Sequence, residues 1–177
     1  MILFRRAPAN VPFQWESGLE QPAGRWHGEG EGPAQYLADT PDGAWAEFLR
    51  HEHITDPADL AGVRESVWAV ELPDDLELPR PRLSLPTLTA GAASYERCQQ
   101  EARRLRASGA TGLRAPSAAL VPSGARGWLV RDGLRDGAPR DGTVIVLFGA
   151  RPEAVGWRAC AEGRPERQLL AKVRYLR

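Results

Sequence analysis

Residues Ala34-Gln35-Tyr36-Leu37-Ala38-Asp39-Thr40-Pro41-Asp42-Gly43-Ala44-Trp45-Ala46-Glu47 decide the fold. The first five predict a short strand that turns Tyr36 to one face and Gln35 and Leu37 to the other. A helix start follows directly. Thr40 suits the N-cap, Pro41 the first helical position, and Asp42 the positive end of the dipole. The helix runs to about His51, with Trp45, Phe48 and Leu49 as its apolar stripe. Ala44, Glu47, Arg50 and His51 lie along a flanking face at three- and four-residue spacings. Glu47 therefore borders the buried stripe, where a carboxylate is half-buried and oriented.

Upstream, Gly24-Arg25-Trp26-His27 leads into Gly28-Glu29-Gly30-Glu31-Gly32-Pro33, a turn that holds no regular element. Its spacing is superficially that of a phosphate loop. The two glutamates would repel phosphate, however, and no lysine or helix start follows, so a solvent-exposed connector is the expectation. Ile2–Phe4 reads as a short edge strand closed by Arg5 and Arg6, and 8–24 as loop, with Trp15 covering the core.

Downstream, Ser66–Leu72 reads as a strand and Pro73–Pro86 as an extended connection with no regular element. Ser94 is the expected cap of a helix that runs to Ser108 and stops at Gly109. Its cluster of Arg97, Arg103, Arg104 and Arg106 is expected on the solvated side. Gly112–Val121 is a strand interrupted at Pro116. Thr143–Phe148 is the strongest strand, of central character. Gly156–Ala161 and Gln168–Leu176 follow, the latter from a period-two pattern. The sum is an α+β fold of mostly antiparallel sheets in a single domain over 1–177.

Composition excludes several classes. With 23 basic and 23 acidic residues the formal charge is zero, so no global field draws the chain to nucleic acid or an anionic membrane. No apolar run has the length of a signal peptide or a membrane span. Cys98 and Cys160 have no metal-ligand or CxxC spacing, and both are expected to be small core residues of a reduced, cytoplasmic protein.

Taken in order, Gly24-Arg25-Trp26, Tyr36-Leu37-Ala38-Asp39-Thr40-Pro41, Ala46-Glu47 and Ala115-Pro116-Ser117 resemble the RES domain, a bacterial family named for an arginine, a glutamate and a serine. Leu3-Phe4-Arg5 resembles its aromatic-arginine start, and the likeness spans roughly Leu3 to Phe148. Each motif is weak alone; their order and separation are specific. The resemblance implies an ADP-ribosyltransferase-like fold of split, mostly antiparallel β-sheets with flanking helices. It implies an enzyme that consumes NAD as substrate by cleaving the nicotinamide–ribose bond, as a glycohydrolase or phosphorylase or as an ADP-ribosyltransferase, without a metal, as the toxin of a toxin–antitoxin pair. An Xre-type helix-turn-helix antitoxin is the implied partner, and a homodimer is compatible with it. Carried over by position, Glu47, Arg25 and Tyr36 are catalytic: Arg25 binds phosphate or ribose, Tyr36 packs on the nicotinamide, and Glu47 stabilises the ribosyl cation. Ser117, Arg5 and Trp26 are further cofactor-binding candidates. The sequence departs from the family at His27, where asparagine is usual, and at Ala23, where a second glycine is common.

Chemistry agrees with these residue types. Breaking a nicotinamide–ribose bond develops positive charge on the ribose, which a nearby carboxylate stabilises. Arginine grips phosphate with two parallel hydrogen bonds, and an aromatic ring can stack on the leaving base. Taken singly, each residue has a plainer reading: a surface arginine, a core tyrosine and a solvated glutamate. Two other functions fit parts of the sequence. One is a catalytically silent module on the same fold that binds a nucleotide or a protein. The other is a metal-dependent hydrolase built on Glu47, His51 and His53, although zinc sites on helices usually have tighter spacing.

Overall fold

A computed structural model describes residues 1–16, 18, 20–130 and 134–175 of the chain. Among the described residues eight strands and three α-helices are formed: β1 (Ile2–Pro8), β2 (Ala34–Ala38), α1 (Pro41–His51), β3 (Glu65–Glu71), α2 (Leu85–Thr89), α3 (Tyr95–Ala107), β4 (Gly112–Pro116), β5 (Ala125–Val130), β6 (Leu134–Arg140), β7 (Thr143–Phe148) and β8 (Val155–Gly163). Six strands make one sheet in the order β4-β7-β2-β1-β3-β8, and β5 and β6 form a separate two-stranded sheet. Every pairing between these strands is antiparallel. The α+β reading and its antiparallel sheets stand.

Strand alternation sorts the core onto the two faces of the large sheet. Phe4 and Val67 face α1, packing with Trp45, Phe48 and Leu49. Ala34 and Tyr36 on the same side face α3 through Cys98, Ala102 and Leu105. Leu3, Leu37, Val70, Ile145 and Leu147 point the opposite way, where Phe13, Leu76 and Leu78 from two loops cover them.

The strand-to-helix junction forms as its residues dictate. Thr40 is extended and accepts a hydrogen bond from the Gly43 amide at 3.0 Å, and Pro41 opens the helix. Asp39 fastens the junction to β7, accepting from the Thr143 amide at 2.9 Å. Asp42 lies close to the start of α1, as its dipole favours, and also grips Arg126 of β5 through backbone and guanidinium, so the small hairpin is anchored there.

Several elements differ from expectation. β1 is longer than Ile2–Phe4 and lies inside the sheet between β2 and β3, not at its edge. Its arginines are accommodated because Arg6 stacks 4.6 Å over the Phe48 ring while Arg5 bonds to Gln35. Within the proline-rich connection, Ser84 caps the short helix α2. Ser94 does not cap α3: it is itself in helical conformation and its hydroxyl bonds to the Gly91 carbonyl. β4 ends at Pro116, and the chain then turns so that Ser117 leaves the sheet. The β5–β6 hairpin carried no strong alternating pattern. Residues 167–172 form a 3-10 helix, not a strand; Leu169 and Val173, four apart, both enter the α1 core, which alternation in the sequence mimicked. Leu176 lies outside the described residues. Cys98 is buried as expected, but Cys160 is exposed on β8. Among the described residues no helix is long and apolar enough to cross a membrane.

Removing the Thr40 hydroxyl orphans an amide at the start of the helix that carries Glu47. Thr40→Ala is expected to lower unfolding stability by about 1 kcal/mol, read as an earlier denaturation midpoint, with Thr40→Ser near wild type.

Candidate active site

Three segments distant in sequence meet beside α1. Its flanking face presents Glu47, three residues before Arg50. The turn after β4 brings Ser117, whose hydroxyl receives the amides of Ala119 at 3.2 Å and Leu120 at 3.3 Å. With both amides pointing at its oxygen, the Ser117 proton is directed outward, to Glu47 Oε1 at 3.3 Å. Arg25 arrives from the turn before the glycine-rich connector and is buried. Its Nη1 donates to Ser94 Oγ at 2.9 Å, its Nη2 to the Ala90 carbonyl at 2.6 Å, and its guanidinium stacks 4.9 Å over the Tyr95 ring.

Electrostatics define the character of Glu47. Burial pushes its carboxyl above the usual range; the positive charges of Arg50 and Arg25, and the hydrogen bond from Ser117, oppose that rise without cancelling it. Arg50 is shifted the other way: burial lowers it, and Glu47 works against the shift. The result is an oriented carboxylate, poor in water, among fixed cations. Such a group can stabilise positive charge developing on a bound ligand.

Tyr36 holds the site from behind. Its hydroxyl accepts the Trp26 amide at 2.9 Å and lies 2.9 Å from His27 Nδ1, whose other ring nitrogen is 3.0 Å from the Pro22 carbonyl. Because that carbonyl can only accept, Nε2 carries the proton and Nδ1 receives the tyrosine's. The chain of bonds requires a neutral imidazole, and burial of His27 lowers its pKa accordingly. Burial likewise raises the Tyr36 phenol. Gly24 is required here, since a Cβ would sit 2.8 Å from the Tyr36 hydroxyl and 2.9 Å from the His27 ring. From α3, Gln99 donates to the carbonyls of Gly24 and His27, closing the turn that aims Arg25.

The expected residues divide. Arg25, Glu47 and Ser117 converge, and Tyr36 and His27 brace Arg25. Trp26 does not join as a ligand contact: its side chain is 1% exposed and packs in the α3 core. Arg5 does not join either. It points to the opposite face of the sheet, bonds to Gln35 at 3.1 Å, and burial lowers its guanidinium to about 10. The acidic connector is turned away from the site, because Glu31 caps the Gly28 amide and pairs with Arg103 and Arg106 of α3. Arg106 is consequently not on the solvated side but half-buried, 4.4 Å over the Phe148 ring. His51 and His53 are exposed, and among the described residues no three His, Cys, Asp or Glu side chains are grouped to hold a metal ion.

Sequence reasoning missed Arg50, Ser94 and Tyr95 as members of the site. The spacing of Arg50 from Glu47 was visible. Ser94 and Tyr95 were hidden behind their plainer reading as a helix start. A groove of about 390 Å³ opens beside Ser117, lined further by Leu88, Arg114, Asp141 and Arg174.

A carboxyl whose pKa is raised by folding binds its proton more tightly in the native state. Stability is therefore fullest at low pH and falls as pH rises from the ordinary carboxylate value through the raised one. Glu47→Gln removes that loss. Its thermal midpoint is expected to exceed that of wild type at neutral pH, and the difference should shrink as pH is lowered below the ordinary carboxylate value.

The family model described as RES domain matches residues 3–167. No curated protein matches the chain significantly. Among solved structures, a chain of the crystal structure of the M.tuberculosis MbcT-MbcA toxin-antitoxin complex is similar in fold. The likeness covers 89% of this chain and 84% of that one, with 16% identity and a TM-score of 0.56.

Proposed function

Because the chain belongs to the RES domain family, we propose that it is an enzyme that cleaves the nicotinamide–ribose bond of NAD, with Glu47 as the residue that stabilises the reacting sugar. The observation that carries this reading is the half-buried Glu47 carboxylate, held by the Ser117 hydroxyl in the field of Arg25 and Arg50. Bond breaking sends the shared electron pair to the nicotinamide ring, which leaves neutral, and puts positive charge on the ribose. A carboxylate a few ångströms from that carbon lowers the barrier most when it is ionised, oriented and shielded from water. The acceptor that closes on the ribose is water, phosphate or a protein side chain, and it loses its proton in doing so.

In this reading Arg25 holds a phosphate of the substrate and Ser117 positions Glu47. Tyr36 acts through its hydroxyl on the turn that carries Arg25, as a positioning residue, while its ring packs against the α3 core and not on the nicotinamide. The similarity to a chain from a toxin–antitoxin complex supports a toxin role with a protein antitoxin as partner.

Incubating the purified protein with NAD is expected to release nicotinamide at neutral pH. Glu47→Gln should reduce kcat on the order of 100- to 1,000-fold while the protein stays folded, as for other losses of a transition-state contact. Arg25→Ala should act mainly by raising KM. Wild-type protein that neither binds nor consumes NAD would refute the proposal.

A further inference from the structure

Arg50 is not among the residues assigned above to substrate, yet its surroundings are those of an anion site. Its Nη2 donates to the Ala90 carbonyl at 3.0 Å, and the Arg25 Nη2 donates to the same oxygen at 2.6 Å. Two guanidinium groups from different segments thus converge on one atom, while Arg50 Nη1 is fixed by the Ala118 carbonyl. A single neutral carbonyl is a poor counterpart for two cations. Glu47 is the anion nearest in effect to Arg50, and Arg25 and Arg174 both act against its charge. Arg174 has a buried Nη1 with no hydrogen-bond partner among the described residues. It lines the groove beside Ser117, together with the exposed Arg114. The groove's carboxylate, Asp141, is occupied in capping the Ser123 amide at 2.7 Å.

Unpaired buried donors and neighbouring like charges are costly unless an anion meets them. Arginine's planar fork matches phosphate oxygens. We infer that Arg50 and Arg25, with Arg174 behind them, form a clamp for a diphosphate, and that the Ala90 carbonyl holds the place of a phosphate oxygen until a ligand displaces it. In the segment that supplies this carbonyl, Ala90, Ala92 and Ala93 are exposed, whereas Arg25 and Arg50 are buried. The inference rests on the NAD reading and adds to it the residue that selects for the diphosphate. Arg50 also stands three residues from Glu47 on one helix face, so the clamp fixes where the ligand's ribose lies relative to the carboxylate.

Calorimetric titration of the full chain with ADP-ribose, inorganic pyrophosphate and adenosine tests the clamp. Arg50→Lys keeps the charge and loses the fork; it is expected to weaken ADP-ribose and pyrophosphate on the order of tenfold and to leave adenosine unchanged. Arg50→Ala should weaken the first two on the order of a hundredfold; if it does not fold, Arg50→Lys and Arg50→Gln decide. In turnover, Arg50→Lys should raise KM for NAD on the order of tenfold. Folded Arg50 variants that bind pyrophosphate as wild type does, or that lower kcat with KM unchanged, would overturn the clamp even if NAD is still cleaved. Pyrophosphate binding that depends on Arg50 in a protein that releases no nicotinamide would uphold the clamp and refute the NAD reading.

Discussion

The contact on which the site depends is the one between the Ser117 hydroxyl and Glu47 Oε1. It is long and weak by itself. Its importance is directional: two backbone amides saturate the serine oxygen from behind, so its proton has one place to go. That fixes the carboxylate in a position where burial makes ionisation costly and where Arg50 and Arg25 make it tolerable. A carboxylate stabilised less than water would stabilise it is one that gains from a cation brought beside it. The fold holds this group ready at some expense of stability, as is common at sites of chemistry.

The rest of the architecture can be understood as support for that arrangement. β2 delivers α1 through a junction sealed by Thr40 and Asp39, so the helix bearing Glu47 and Arg50 leaves the sheet at a fixed angle. β4 ends at Pro116 and frees Ser117 to turn toward the helix. α3 braces the turn of Arg25 through Gln99, and the Tyr36–His27 pair closes it from the sheet side. The histidine that departs from the family's usual asparagine therefore has a definite task. Its Nδ1 accepts a hydrogen bond from the Tyr36 hydroxyl and its Nε2–H donates one to the Pro22 carbonyl.

Legibility in the sequence followed the range of the interactions. The α1 start was readable because capping is local: Thr40, Pro41 and Asp42 each act within one turn. The position of Glu47 beside the apolar stripe followed from helical spacing alone. Central character in β7 was readable from its unbroken apolar run. What failed depended on partners far along the chain. Arg5 was a further candidate for the cofactor until the sheet turned it away from α1 onto Gln35, and Trp26 looked like a ligand contact until α3 buried it. Glu31 looked like an obstacle to phosphate because nothing nearby reveals that Arg103 and Arg106, more than 70 residues on, would claim it. The apparent strand at 168–176 failed for a different reason: leucine and valine four apart satisfy a helical turn as well as an alternating strand.

Turnover depends on the ionisation of Glu47. Nicotinamide release from NAD, measured across pH for wild type, should give a kcat/KM profile whose acid limb lies above the ordinary carboxylate range, because the base form is the active one and burial raises its pKa. Lowering the pH through that limb should abolish activity while the protein remains folded, and Glu47→Gln should remove the limb with the activity. An acid limb at or below the ordinary carboxylate value, or one that persists in Glu47→Gln, would contradict the account.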